Sequence, residues 1–264
     1  MAASVDARMI SFTPGYFGWL GNQMFQYAAT CALALHRGVP WAFPKNRPDL
    51  HAIFNLSAVV TPERRSRYDE PHFHHDPAFW NLPDGTELSG YFQSEKYFAP
   101  YADEIRREFA FSAQSEVGDM IQNLVDITRE EPGTVSIHVR RGDYLSFPEH
   151  HPPLTMDYYR EAMSRFPDAR FLVFSDDPGW CLLNFRDAGY DVEISTGRSA
   201  AEDMALMAAC DHHIIANSSF SWWGAWLGRN PEKRVIAPAA WFGPAKQPPQ
   251  WDTRDLLPEA WKRI

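Results

Sequence analysis

The chain has 264 residues, 45% of them hydrophobic, so it can bury one large core or two smaller ones and is not intrinsically disordered. Its 34 acidic residues outnumber 25 basic ones and give a formal charge of -9, which argues against nucleic acid as the main partner. Three cysteines without a CxxC pair, and no apolar run near the roughly 20 residues that span a bilayer, predict a soluble cytoplasmic protein without a transmembrane segment.

The first half of the chain begins with a short strand followed by a glycine-punctuated loop. Residues 9–13 have strand character, and Gly15, Gly18 and Gly21 precede a predicted helix over 22–36. The loop matches neither GxGxxG nor a Walker loop. Its spacing fits a phosphate cradle and a plain strand-to-helix turn equally well.

The middle of the chain, from 40 to about 98, is rich in proline, histidine and aromatic residues and has no clear period. Within it, residues 88–98 are predicted to form a strand that turns into the start of a helix. An amphipathic helix is predicted over 103–111 and a further helix over 115–129. The proline and glycine at 130–133 stop helices and mark the best candidate linker.

Beyond this linker, strands and helices alternate regularly. Strands are predicted at 135–140, 171–174, 191–194 and 213–216. Helices are predicted at 156–165, 178–188, 199–210 and 221–227. This alternation is typical of a parallel sheet wrapped by helices.

The first strand of this second half ends in a basic cluster. Because side chains alternate along a strand, His138 and Arg140 share one face and the apolar residues occupy the other. A guanidinium at the carboxyl end of a strand is a fixed fork of donors that matches phosphate oxygens, and open α/β sheets bind ligands there. The alternation of side chains along the strand therefore favours Arg140 over Arg141 as a phosphate ligand. The alternative is a structural turn in which Arg141 and Asp143 pair.

Two further strands of the second half also end in polar clusters, and the carboxyl ends of parallel strands meet at one edge. One cluster is Ser175-Asp176-Asp177, and the other is Asn217-Ser218-Ser219-Phe220-Ser221, which also begins a helix whose N–H groups favour an anion. Each serine is equally explained as an N-cap, and the acids suit Mg²⁺, guanine or ribose hydroxyls. The coincidence of three strand ends predicts a nucleotide diphosphate site.

No metal site is predicted. The histidines at 72–75, 150–151 and 212–213 lack the i, i+4 spacing of a helical zinc site and have no partner pair of cysteines. A GxSxG elbow is absent too, which removes the simplest hydrolase interpretation.

Five motifs occur along the chain: 20–28, 90–98, 136–144, 175–178 and 214–227. In this order they resemble the α-1,2-fucosyltransferase family, glycosyltransferase family 11, in its short bacterial form. The resemblance implies a GT-B-like α/β fold of two Rossmann-like domains facing a cleft, with 1–130 chiefly on the acceptor side and 131–264 binding GDP-β-L-fucose. It further implies a role in glycan biosynthesis, in which L-fucose is transferred to a hydroxyl, the 2-OH, of a galactose-terminated glycan. The implied transfer inverts the anomeric carbon and needs neither a metal ion nor a cofactor.

The resemblance also assigns roles to individual residues. Arg140 resembles the arginine that holds the donor diphosphate, and Asn22 resembles the asparagine of a glycine loop that reaches donor or acceptor. The donor-binding set predicted from motifs and strand ends is Gly21, Asn22, His138, Arg140, Ser175, Asp176, Asp203, Asn217, Ser218, Ser219 and Phe220. The stretch before Leu20 departs from the family by being longer and more aromatic, with Tyr16, Phe17 and Trp19, which bears on the acceptor.

Catalysis by this set requires stabilisation of a departing diphosphate and removal of a proton from the acceptor. Arg140 and the N–H groups of Ser218 and Ser219 are expected to supply the first. The base is open between Asp143, which alternatively orders Arg141, and Glu149 on a Pro- and His-rich loop, with Glu95 in the first half as a third candidate. Open alternatives for the function are another regiochemistry or acceptor, a catalytically silent nucleotide-sugar or glycan-binding module, and peripheral association with a membrane surface.

Overall fold

The computed structural model describes residues 8–13, 18–44, 50, 53–54, 56–58, 66–111, 133–186 and 189–264. The chain divides into two compact units. Unit 1 contains Met1–Ser115 and Pro249–Pro258, and unit 2 contains Glu116–Pro248 and Glu259–Ile264. The boundary predicted at 130/131, like the predicted helix over 115–129, lies outside the described residues. None of the helices in the described part of the chain is both long and apolar enough to cross a bilayer.

Unit 1 is built on a four-stranded parallel sheet in the order β2-β1-β4-β3. Its strands are β1 (Ile10–Phe12), β2 (Trp41–Ala42), β3 (Ser66–Asp69) and β4 (Thr86–Ser89). In the described part of unit 1, the α-helices with both ends defined are α1 (Leu20–Arg37) and α2 (Ala102–Glu108). Both helices lie where the sequence predicts them, with ends shifted by one to three residues.

Helix α1 is the core element of unit 1. Every residue from Gln23 to Ala34 is buried, because the face of small side chains, among them Ala28 and Ala32, allows neighbours to approach closely. The helix ends at Gly38, whose φ of 66° is the left-handed conformation that glycine adopts without steric cost.

Unit 2 contains a six-stranded, fully parallel sheet in the order β10-β9-β8-β5-β6-β7. Its strands are β5 (Thr134–Val139), β6 (Arg170–Ser175), β7 (Asp191–Ile194), β8 (His212–Ile214), β9 (Val235–Ala237) and β10 (Lys262–Arg263). Its α-helices are α3 (Met156–Met163), α4 (Pro178–Phe185), α5 (Ala200–Ala209) and α6 (Ser219–Leu227). The predicted parallel sheet wrapped by helices is confirmed.

The strand order of unit 2 reverses between β5 and β8. The chain places β6 and β7 on one side of β5, then returns to build β8, β9 and β10 on the other, which is the doubly wound order of Rossmann folds. Apolar side chains of the neighbouring strands β5 and β6, such as Ile137 and Val173, pack against Tyr159 and Phe185 from the helices. This buried core fixes where each strand ends, and therefore where the polar residues that follow the strands are placed.

Candidate active site

The three polar clusters follow three neighbouring strands. Arg140 comes directly after β5, Asp176 after β6 on one side, and Asn217 shortly after β8 on the other. All three strands are parallel, so these residues share one edge of the sheet, as the sequence predicts. The strand order reverses between β5 and β8, and open α/β sheets bind their ligands beyond the carboxyl ends of the strands at such a switch point.

The Arg140 guanidinium lies between two carboxylates. Its Nη2 is 2.6 Å from Oδ1 of Asp143 and its Nη1 is 2.9 Å from Oδ2 of Asp176. The guanidinium carbon also lies 5.4 Å from the centroid of the Tyr144 ring. The arginine side chain is 25% exposed, which leaves part of it accessible to a solute at the sheet edge. With two carboxylates around one guanidinium, the local charge of this group is negative before any ligand binds.

Arg141 points to a different set of partners. Its Nε is 3.0 Å from Oδ2 of Asp177, its guanidinium carbon lies 4.3 Å from the centroid of the Trp180 ring, and its backbone N–H donates to Asp176. The alternative pairing of Arg141 with Asp143 is therefore wrong. Successive side chains leave the strand on opposite sides, so Arg141 packs against α4 while Asp143 reaches Arg140.

Gly142 allows the acidic side chain of Asp176 to approach the backbone of the turn. A Cβ at Gly142 would lie 2.5 Å from Oδ2 of Asp176, which is closer than real Cβ contacts come. A larger residue at this position would displace the carboxylate that pairs with Arg140.

His138 is buried at the end of β5, with its ring centroid 5.5 Å from that of Phe220. Its Nδ1 atom has no hydrogen-bond partner among the described residues. Burial, followed by the nearby positive charge of Arg140, lowers the pKa of His138 to about 3. The ring is neutral at physiological pH, and its Nδ1 is a buried polar atom next to the predicted site.

The third cluster divides into structural and accessible residues. Asn217 is buried, where its Nδ2 donates to the carbonyl oxygens of Pro152 and Trp241, and its Oδ1 has no partner among the described residues. The Ser218 hydroxyl accepts the N–H of Phe220 at 3.3 Å and caps α6, as the N-cap alternative predicts. Ser219 and Phe220 are half-buried in the first turn, which places the amino end of α6 at this edge.

Ser175 and Asp203 are held by hydrogen bonds within the protein. The Ser175 hydroxyl accepts the N–H of Asp177 at 2.9 Å, which forms a local turn. Asp203 lies in the first turn of α5 and accepts a hydrogen bond from Ser195, which follows β7, at 2.7 Å, while burial raises its pKa. Further along α5, Met207 packs with Phe220 in one cluster, so this helix lies beside the accessible part of the site.

Glu149 is exposed on a loop whose backbone is fixed. Its carbonyl oxygen accepts the N–H of Ala245 at 2.8 Å, and a side chain at Gly243 would collide with that same carbonyl group. The neighbouring His151 ring stacks on Tyr144 at 4.8 Å. In this arrangement the backbone of Glu149 is tied to the segment 243–245, and its side chain is exposed.

Gly21 and Asn22 lie in the first turn of α1, in unit 1. The Asn22 Oδ1 accepts a hydrogen bond of 2.8 Å from Nε2 of Gln93, which follows β4. Trp19 is 67% exposed just before the helix, and Glu95 begins a 3₁₀ turn over Glu95–Tyr97. Tyr16 and Phe17 lie outside the described residues.

Sequence reasoning assigned no role to Tyr144 or Gln93 and did not give the partner of Asp177, although all three residues shape these sites. The Tyr144 hydroxyl donates to the carbonyl oxygen of Asn217 and so links the ends of β5 and β8. Gln93 was detectable as a polar residue inside the 90–98 motif, whereas the contacts of Tyr144 and Asp177 had no local signal. Within the described residues, no three histidine, cysteine or acidic side chains converge to hold a metal ion, and metal independence stays a prediction.

Comparison with known proteins places the chain among glycosyltransferases. The profile of Glycosyl transferase family 11 matches residues 3–242. The chain is 35% identical to an Escherichia coli protein named Alpha-1,2-colitosyltransferase over 94% of this chain and 96% of that protein. It is 33% identical to Homo sapiens Galactoside alpha-(1,2)-fucosyltransferase 1 over 80% of this chain and 63% of that protein. The chain thus spans nearly all of the first relative and about three fifths of the second.

Two solved structures share the fold at low sequence identity. Fucosyltransferase NodZ from Bradyrhizobium is similar with a TM-score of 0.54 and 14% identity, covering 83% of this chain and 92% of that one. POFUT1 in complex with GDP has a TM-score of 0.56 and 13% identity, covering 89% and 99%. This similarity confirms the predicted GT-B-like fold class.

Because His138 is buried in its neutral form, we predict that it makes the free energy of unfolding fall under acid conditions. The unfolded chain takes up a proton below a pKa of about 6.5, whereas the folded protein does so only near 3, so stability is lost as the pH falls below about 6.5. This group contributes up to about 1.4 kcal/mol per pH unit. Urea unfolding between pH 5 and 7 should give a shallower pH slope for His138→Asn than for the wild type. Equal slopes would show that His138 is not held neutral.

Proposed function

The chain belongs to glycosyl transferase family 11, and on that premise we propose that it transfers L-fucose from GDP-β-L-fucose to the 2-OH of a galactose-terminated glycan. The observation that carries the proposal is the placement of Arg140 at the switch point of a Rossmann-ordered sheet, next to the amino end of α6. A guanidinium beside the positive amino end of a helix suits the diphosphate of a nucleotide sugar. The 1,2-linkage in the names of both relatives described above supports the choice of hydroxyl.

The donor sugar has a second candidate, since one relative is named a colitosyltransferase and aligns over almost its whole length. Colitose lacks the 3-hydroxyl of fucose. A site that hydrogen-bonds this hydroxyl would reject the deoxy sugar strongly, because a buried polar group would be left unpaired, whereas an apolar site would accept both donors. Competition between GDP-fucose and GDP-colitose therefore separates the two candidates.

The proposed reaction inverts the anomeric carbon. The acceptor oxygen forms a bond to C1 of the sugar while the bond from C1 to the diphosphate oxygen breaks on the opposite face. GDP leaves with the bonding electron pair, and the acceptor proton passes to a carboxylate. Arg140 and the N–H groups of the first turn of α6 stabilise the charge on the departing diphosphate, and no metal ion is required for this step.

Binding of a diphosphate to Arg140 requires one carboxylate to give way, because both are negatively charged like the ligand. Asp143 is 49% exposed on a short 3₁₀ turn, whereas Asp176 is 25% exposed and also accepts the backbone N–H of Arg141. We therefore propose that the diphosphate displaces Asp143, and not Asp176, from the Arg140 guanidinium. Once released from the guanidinium, its carboxylate is available to accept the acceptor proton, which favours Asp143 over Glu149 as the base.

The proposed location is the cytoplasm, with peripheral association at a membrane as an additional proposal. The three cysteines are buried and free of disulfides, which supports a reducing compartment. Cell fractionation of the tagged protein tests both proposals.

The proposed function is tested by incubating the purified protein with GDP-fucose or GDP-colitose and a panel of galactosides, with and without EDTA. We expect a 2-linked fucoside at equal yield in both conditions, identified by mass and linkage analysis. A product at another hydroxyl would favour the alternative regiochemistry, and loss of product with EDTA would contradict metal independence. GDP binding without turnover on any acceptor would favour the catalytically silent module.

Replacing Arg140 by alanine is expected to lower kcat by about 10²–10³-fold, the usual effect of losing one donor to a developing oxyanion. Arg140→Lys keeps the positive charge but loses the two-pronged donor, and is expected to recover only part of this loss. Arg141→Lys is the control for a nearby arginine that pairs with Asp177. Near-normal turnover of a folded Arg140→Ala protein would refute the assignment.

Replacing Asp143 by asparagine separates binding from chemistry. The variant should bind GDP at least as tightly as the wild type, because a competitor for Arg140 loses its charge, yet single-turnover transfer should slow by about 10²–10⁴-fold. Glu149→Gln serves as the matched control and should transfer at the wild-type rate. If the control loses the chemistry and Asp143→Asn retains it, the base is Glu149.

A further inference from the structure

The side chain of Glu70 in unit 1 is a partly buried carboxylate. It is linked through the turn at 91–93 to Asn22, a residue predicted to bind the substrate. Glu70 follows β3, and its backbone N–H donates to the carbonyl oxygen of Ser89 at 2.8 Å. Its carboxylate accepts the N–H of Tyr91 at 2.7 Å and that of Phe92 at 3.1 Å. Glu70 therefore holds the turn that follows β4, a segment 21 residues further along the chain.

The backbone of this turn adopts conformations that ordinary residues avoid. Phe92 has a φ of 52°, in the left-handed region, and Gly90 has a φ of 157°. A Cβ on Gly90 would collide with the side chain of Glu70. Such conformations persist only where the surroundings hold them. Here the carboxylate binds two successive N–H groups while the Phe92 ring is fully buried against Tyr97.

The next residue, Gln93, connects this turn to Asn22 by a side-chain hydrogen bond. Gln93 is 6% exposed, and its Nε2 donates to Oδ1 of Asn22 at 2.8 Å. On its other side the Asn22 amide lies directly over Gly18, where a side chain would collide with Nδ2. Because Oδ1 accepts from Gln93, the orientation of the amide is set, and its NH₂ group is the end that serves as donor.

A carboxylate could also serve merely to stabilise the turn. Burial raises the pKa of Glu70 to about 7, although the N–H groups of Phe92 and Tyr91 oppose this shift. An ionisable group that is disfavoured in its charged form is a costly choice for capping a turn, for which neutral side chains suffice. A positioning role is favoured by the geometry, because the turn that Glu70 holds leads directly into Gln93, whose side chain donates to Asn22.

We propose that Glu70 is a positioning residue for sugar transfer: it holds the 90–93 turn so that Gln93 orients the side-chain amide of Asn22 toward a hydroxyl of the substrate. The inference rests on the proposed function, in which Asn22 contacts the donor or acceptor sugar. Glu70 itself does not touch the substrate. Its effect reaches the reaction only through Gln93 and Asn22.

The test is a double-mutant cycle of Glu70→Gln and Gln93→Ala, with Glu87→Gln as the matched control on the neighbouring strand β4. We expect each single variant to lower kcat/KM by about 10–10²-fold, the effect of a misplaced contact group, with the GDP Kd unchanged. The double variant should be no worse than Gln93→Ala alone, because both changes interrupt one path. The control should stay within about twofold of the wild type, and melting temperatures report folding separately.

Each outcome decides the inference. Multiplicative losses in the double variant, or a lower Tm for Glu70→Gln with unchanged kcat/KM, would reduce Glu70 to a stabilising residue and overturn the proposal. If Glu70→Gln does not fold, Gln93→Ala decides, since unchanged kcat/KM in that variant overturns the proposal equally. A wild type without transfer on any donor and acceptor overturns both the proposed function and this inference, whereas an active wild type with indifferent variants overturns this inference alone.

Discussion

The pairing of Arg140 with two carboxylates is the interaction on which the account of this protein depends. A guanidinium at the end of β5 would rotate freely in water, but Asp143 and Asp176 hold it at the switch point of the sheet. Positive charge fixed in advance at the place where negative charge develops needs no reorganisation during a reaction. The same carboxylates keep the site from being strongly basic, so we propose that a ligand binds by displacing Asp143 from Arg140 instead of by simple attraction.

Parallel strands explain why polar residues gather at the ends of both sheets. In unit 2, the strands β6, β5 and β8 deliver an acid, an arginine and a serine-rich helix start to one edge. In unit 1, the neighbouring strands β1 and β4 are followed by Asn22 and Gln93, which hydrogen-bond to each other. The apolar core beneath each sheet fixes the strand ends, and the loops that follow can then carry chemistry.

The periodic spacing of apolar residues predicted those strands and helices whose formation depends on residues near one another in the sequence. The alternation in 135–140 predicted the strand β5, and the helix periods predicted α1 and α3 to within a few residues. Partners distant in sequence were not predictable: the actual pairings of Asp143 and Arg141 depend on how the turn at Gly142 meets β6, and the link from Glu70 to Gln93 depends on strand register. The short strands β9 and β10, of three and two residues, were not predicted from the sequence.

The central claim is that Arg140 exchanges Asp143 for the donor diphosphate. A crystal structure of the protein with GDP tests this most directly. We expect a phosphate oxygen about 2.7–2.9 Å from the Arg140 guanidinium, with Asp176 still paired to Arg140 and Asp143 turned away. A diphosphate bound elsewhere, with the pair of Arg140 and Asp143 intact, would contradict the account.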